Sequence, residues 1–126
     1  MSPIGSLAGL ACVVFDSAQP ATLAEWWQRL VGGEIVYDDD GDATVQVEGW
    51  PRLDFLRVPE PKTVKNRVHL DLATSDYDAA VAATEAAGAA RAPDIYDGEH
   101  FAVFRDPEGN EFCLLRPGWD EHRSSP

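Results

Sequence analysis

The chain switches between strand-like and helix-like hydrophobic spacing, and it goes through the same series twice. ACVVFD (11–16) is a short apolar run of the kind a buried strand shows. In the segment that follows, Leu23, Trp26, Trp27 and Leu30 fall at i, i+3, i+4 and i+7, which is one face of a helix. Pro20 suits the first turn of that helix, Ser17 can cap it, and Gly32 and Gly33 stop it. EIVYD (34–38), ATVQVEG (43–49) and RLDFLRV (52–58) then read as three strands, with DDGD turning the chain between the first two.

PEPKTVKN (59–66) has no periodicity and reads as a connector. The series then restarts. RVHLDLAT (67–74) alternates strictly, with Arg67, His69 and Asp71 on one face and Val68, Leu70 and Leu72 on the other, where they are expected to meet a helix. Ser75 or Asp76 can cap that helix, DYDAAVAATEAAG (76–88), which ends at Gly88. ARAPDIYD (89–97) is a weak strand, and Pro93 suggests an edge. HFAVFRD (100–106), the turn PEGN (107–110) and EFCLLRP (111–117) complete the series, leaving a polar tail expected to fray.

Strand, helix and three strands, repeated, predict an α+β fold. Two βαβββ modules form a curved sheet pair around a concave cavity, with the helices outside. Residues 1–126 are read as a single domain: module one about 10–58, linker 59–66, module two about 67–117 and tail 118–126.

Charge removes some functions. Ten basic against 22 acidic residues give a net charge of −12, which disfavours nucleic acid and anionic membranes as partners. No apolar run reaches the roughly 18 residues that cross a bilayer. The start lacks the basic flank of a secretory signal, and Cys12 and Cys113 lie too far apart in sequence to form a disulfide framework. The expected setting is cytoplasmic, with reduced thiols. The sequence has no Gly-rich phosphate loop, nucleophile elbow or CxxC pair.

Three stretches, LAEWWQRLVGGE (23–34), KNRVHLDL (65–72) and DPEGNEFCLL (106–115), resemble the vicinal oxygen chelate superfamily of glyoxalases, bleomycin-resistance proteins and extradiol dioxygenases. More closely they resemble the glyoxalase-like domains common in actinobacteria. The resemblance implies a divalent metal held by one side chain from each of strands 1, 4, 5 and 8, commonly His, Glu or Gln, His and Glu. His69 matches the strand-5 ligand. On strand 8 the pattern Gly-Asn-x-x-Glu has Cys113 in place of the carboxylate, and Glu111 stands one step nearer the turn. Strand 1 offers Cys12, with Val13 as the alternative register. Strand 4 offers Asp54 and Leu56 on one face, and Phe55 and Arg57 on the other.

Two readings of the metal follow. In one the pocket holds no metal, and Cys12 and Cys113 are small buried residues. In the other, Cys12, His69 and Cys113 bind zinc with an open fourth position. The functional expectation is a protein that binds a small organic molecule, without the usual metal centre. The alternative is a metal-assisted lyase or isomerase acting next to a carbonyl, with His69 as base or ligand and Asp71 orienting it. Candidate ligand-binding residues are Cys12, Asp54, Arg67, His69, His100, Glu111 and Cys113. The resemblance also implies a homodimer, and Trp26 or Trp27, of which one at most is expected to point fully into the core, suits an interface.

Overall fold

The computed structural model describes residues 5–92 and 101–122. The chain divides into two units, Met1–Glu60 and Pro61–Pro126. The first holds β1 (Cys12–Ser17), α1 (Pro20–Val31), β2 (Glu34–Tyr37), β3 (Ala43–Gln46) and β4 (Arg52–Arg57). The second holds β5 (Leu70–Ala73), α2 (Tyr77–Ala86), β6 (Ala90–Arg91), β7 (Phe101–Arg105), β8 (Glu111–Leu115) and a 3₁₀ turn, Trp119–His122. The fold is α+β, with two helices and two four-stranded mixed sheets, ordered β1-β4-β3-β2 and β5-β8-β7-β6. In each sheet the first and last strands of the unit pair in parallel, and the other neighbours are antiparallel.

In the first unit the register puts Val13, Phe15, Leu53, Phe55, Ala43 and Val45 on one face. Phe15 stacks on Phe55 with ring centroids 4.8 Å apart and meets Trp27 of α1 at 5.3 Å, so this is the helix-bearing face. Trp27 and Phe55 are fully buried, each contributing about 2–3 kcal/mol of apolar transfer. Trp26 and Trp27 are both buried, edge to face at 5.5 Å. This corrects the expectation that only one would reach the core, and it removes an exposed indole as an argument for an interface. The T-shaped pair lets one indole cover the other.

Ser17 does not cap α1 directly. Gln19 occupies the N-cap position, and the Ser17 Oγ accepts the Gln19 N–H at 3.0 Å, shaping the approach to Pro20. Gly33, between α1 and β2, has φ +86, and a Cβ built on it would lie 2.2 Å from the Gln46 carbonyl oxygen. The chain can run this close to β3 only because residue 33 lacks a side chain.

In the second unit Asp76 caps α2, accepting the Ala79 N–H at 3.1 Å. The strand expected from residue 67 begins only at Leu70. Val68 lies in a bend and is 81% exposed, so it does not face the helix as alternation alone suggested. Leu70 and Leu72 share a face with Phe112, Leu114 and Phe104. Arg116, next in that alternation, lays its guanidinium 4.0 Å over the ring of Tyr77, tying α2 to that side. β6 is two residues long; the rest of the weak strand expected over 89–97 lies outside the described residues from 93 on. The tail expected to fray begins instead with the 3₁₀ turn.

The DPEGN turn is built around Asp106, which is buried. Its Oδ1 accepts the backbone N–H groups of Glu108 and Asn110, both at 2.9 Å, and its carboxylate also takes the Asn110 side-chain amide. Asp106→Ala removes all of these acceptors from a site closed to water. It is expected to cost about 2 kcal/mol in urea unfolding, whereas Asp106→Asn, which keeps one acceptor oxygen, should cost less.

Candidate functional site

The motif residues converge in the second unit. Asp71 on β5 is the register partner of Cys113 on β8, and Val103 on β7 is the partner on the other side. His69 stands in the approach to β5, just outside the strand, and its side chain reaches the Asp71 carboxylate and the Cys113 thiol. The His69 Nε2 lies 3.0 Å from the Asp71 Oδ1. One donor atom from each of His69, Asp71 and Cys113 lies within 4.8 Å of the other two. Cys113 is 2% exposed and packs with Ala92 and Val103, with Phe101 and Leu115 against them. The arrangement is a polar trio at one side of an apolar floor. The thiol lies at its base, and the part-exposed imidazole and carboxylate lie toward solvent.

Glu111 shares the Cys113 face by alternation but does a different job. It is 5% exposed. Its carboxylate accepts the Asn66 N–H at 2.8 Å, pairs with the Arg105 Nε at 3.2 Å and with the Lys62 Nζ at 3.3 Å. The Asn66 side chain returns a bond to the Glu111 carbonyl at 3.1 Å. Burial alone would raise its pKa. The Asn66 N–H, then Arg105 and Lys62, outweigh that and hold the carboxyl below its usual range. Glu111 therefore clasps the end of the connector onto β8. Lys62 also donates to the Val64 carbonyl, and Lys65 to the Asn66 carbonyl. Arg67 sits exposed in the bend before β5.

In the first unit Cys12, Asp54 and Thr44 share the face turned away from α1. Asp54 takes Arg52 through both oxygens, at 3.1 and 2.9 Å, and the Thr44 hydroxyl at 2.8 Å. The Arg52 bonds, opposed by burial and helped by Thr44 and the Cys12 thiol, hold its carboxyl below the usual range. Cys12 is half-buried beside this pair. His100 lies outside the described residues.

These contacts decide how the chain's donors fit the metal that the resemblance implies. The two carboxylates nearest the expected ligand positions, Asp54 and Glu111, already hold cationic side chains, and a metal ion would have to displace them. A carboxylate-rich set of the usual kind does not fit. Among the described residues, the donor atoms that do cluster are those of the Cys113 thiol, the His69 imidazole and the Asp71 carboxylate. Chemically, His69 oriented by Asp71 can accept or deliver a proton, and Cys113 can act as a thiolate donor.

Sequence reasoning named His69, Asp71 and Cys113 as candidates, grouping Cys113 with Cys12 and His69 and leaving its face open, and it missed what surrounds Glu111 and Asp54. One signal was available: Arg105 and Glu111 flank the DPEGN turn symmetrically, so hairpin register makes them opposite neighbours. Asn66 and Lys62 gave no such signal.

Known structures share this architecture. The chain resembles a glyoxalase/bleomycin resistance protein/dioxygenase family enzyme from Burkholderia phytofirmans, with 18% identity, 86% of this chain and 98% of that one covered, and a TM-score of 0.71. It resembles the fosfomycin resistance protein FosX from Mesorhizobium loti at 14% identity, with 87% and 92% covered and a TM-score of 0.70. It also resembles TnmS3, an antibiotic binding protein from a Streptomyces species, at 21% identity, with 90% and 99% covered and a TM-score of 0.63. No curated protein matches in sequence. The glyoxalase-like domain family matches residues 12–115, the span from β1 to the end of β8, and the chain is a member of that family.

Proposed function

We propose that this protein binds a small organic molecule on the Cys113 face of the second sheet, without the four-strand metal set usual for its relatives. The observation that carries the reading is the pairing of a few convergent polar groups, His69, Asp71 and Cys113, with an apolar floor of Val103, Phe101 and Leu115. Small-molecule sites have this composition. The engagement of Asp54 and Glu111 by basic side chains supports the absence of the usual centre. The antibiotic-binding TnmS3 supports binding as a use of this fold. Part of the same reading is a cytoplasmic homodimer, with light scattering as the check on the assembly. No described helix is long and apolar enough to cross a membrane.

A thermal-shift screen of apolar and aromatic metabolites and antibiotics, followed by calorimetry, tests the reading. A hit is expected, and His69→Ala should weaken its binding by about tenfold, the worth of one good polar contact in a partly desolvated site. A panel without hits, together with turnover of a carbonyl compound, would sink it. That outcome would favour the second reading, an enzyme in which His69 is the base. The 3.0 Å contact from Asp71, which fixes the imidazole's orientation, favours this alternative.

A further inference from the structure

We infer that the first unit carries a second binding site, for a small organic carboxylate, in a cavity just past the C-terminal ends of β1 and β4. The cavity has a volume of about 530 Å³ and is lined by Ala18, Gln19, Arg57, Val58 and Pro59. Its lining belongs entirely to the first unit and shares no residue with the Cys113 face. The volume falls within the roughly 300–1,000 Å³ of small-molecule sites.

The walls are held in place before any ligand arrives. Ser17, which is buried, is the hub. It pairs with Arg57 in the parallel ladder. Its carbonyl accepts the Val58 N–H at 2.9 Å, and its Oγ accepts the Gln19 N–H at 3.0 Å. The Arg57 N–H donates to the Asp42 Oδ1 at 2.9 Å, and the Leu23 N–H to the Gln19 carbonyl at 2.9 Å. These bonds anchor the cavity to the β2–β3 turn and to α1, and Pro59 restricts its own φ. Little backbone remains to be ordered on binding, so less of the contact energy is lost to ordering.

The lining selects the class of ligand. Arg57 is the only cation in it, and among the described residues its guanidinium has no ion-pair partner. A guanidinium holds a carboxylate through two parallel N–H···O bonds. Gln19 adds a side-chain amide, and Ala18, Val58 and Pro59 offer apolar surface to a short alkyl chain or a ring. One cation matches one negative charge. A phosphate dianion or a nucleotide asks for more donors than this lining has, and it would approach a chain of net charge −12.

The test follows the backbone amides of the full chain by NMR while benzoate or hexanoate is added, with benzamide and hexanamide as the uncharged counterparts. At least one carboxylate is expected to shift Ala18, Gln19 and Val58 saturably, and to bind more tightly than its amide. Arg57→Gln, at an exposed position, should weaken that binding about tenfold, the worth of one charge-assisted contact near solvent. Arg29→Gln removes the same charge from the last turn of α1 and should leave the affinity unchanged. Ala18→Leu, which puts a larger side chain into the cavity, should weaken binding as well. Four results would overturn the inference: no saturable shift at the three amides, an amide that binds as tightly as its acid, an affinity unchanged in Arg57→Gln, or equal losses in Arg57→Gln and Arg29→Gln. Shifts confined to β5 and β8 would also overturn it and would assign the carboxylate to the Cys113 face.

Discussion

Gly33→Ala is expected to destabilise the first unit by about 3 kcal/mol, seen as a fall of roughly 10 °C in thermal unfolding followed by circular dichroism. Two effects combine. At φ +86 any residue with a Cβ carries a penalty of about 1–2 kcal/mol. The new methyl would also lie 2.2 Å from the Gln46 carbonyl oxygen, so β3 must give way where it pairs with β2. Forced repacking of this kind costs about 1–3 kcal/mol. Gly109→Ala separates the two effects. Gly109 has φ +87, but nothing lies within 4 Å of its built Cβ, so only the backbone penalty applies. Equal losses at the two positions would show that the close approach at Gly33 contributes nothing.

Glu111→Ala is expected to cost about 3 kcal/mol in urea unfolding at neutral pH. It removes the buried acceptor shared by the Asn66 N–H, Arg105 and Lys62 and leaves those donors facing a void. The pH dependence identifies the cause. The folded carboxyl is held below its ordinary value of 4.5, so the native state binds its proton less readily than the unfolded chain does. Its stabilisation is therefore fully present above that ordinary value and is lost as pH falls through the lower, folded one. The stability gap between the natural chain and Glu111→Gln should be widest near neutrality and close progressively on acidification below about pH 5. Comparison with the Gln variant cancels the titration of the other carboxylates. A gap that stays constant with pH would show that Glu111 acts through packing rather than charge.

The residues explain what sequence reading reached and what it did not. Strand and helix order were legible because period-two and period-3.6 runs are local, and the glycines after each helix mark where one gives way to the other. That Asp71 and Cys113 share a face was not legible, because it depends on the register between β5 and β8 and not on spacing within either strand. Val68 was misplaced because alternation continues two residues past the point where hydrogen bonding stops, and only pairing with β8 decides where β5 begins. The two tryptophans were misjudged because adjacent helical positions diverge, yet large rings can still cover one another. The Glu111 clasp was out of reach. Its partners Asn66 and Lys62 lie more than forty residues upstream, and no spacing rule links a connector to the strand it meets.

The parallel pairing that closes each sheet has a consequence for how the chain folds. Cys12 finds its ladder partner only when Arg52 arrives, and Leu70 only with Phe112. In both units the helix and the antiparallel strands can form from near neighbours, but the parallel strand must wait for a long loop to close. Contact order within each unit, rather than chain length, is then expected to set the pace. The bond from Asn66 to Glu111 spans the same stretch as the β5–β8 ladder, so in the second unit the clasp and the ladder close one loop together and pay its entropy once.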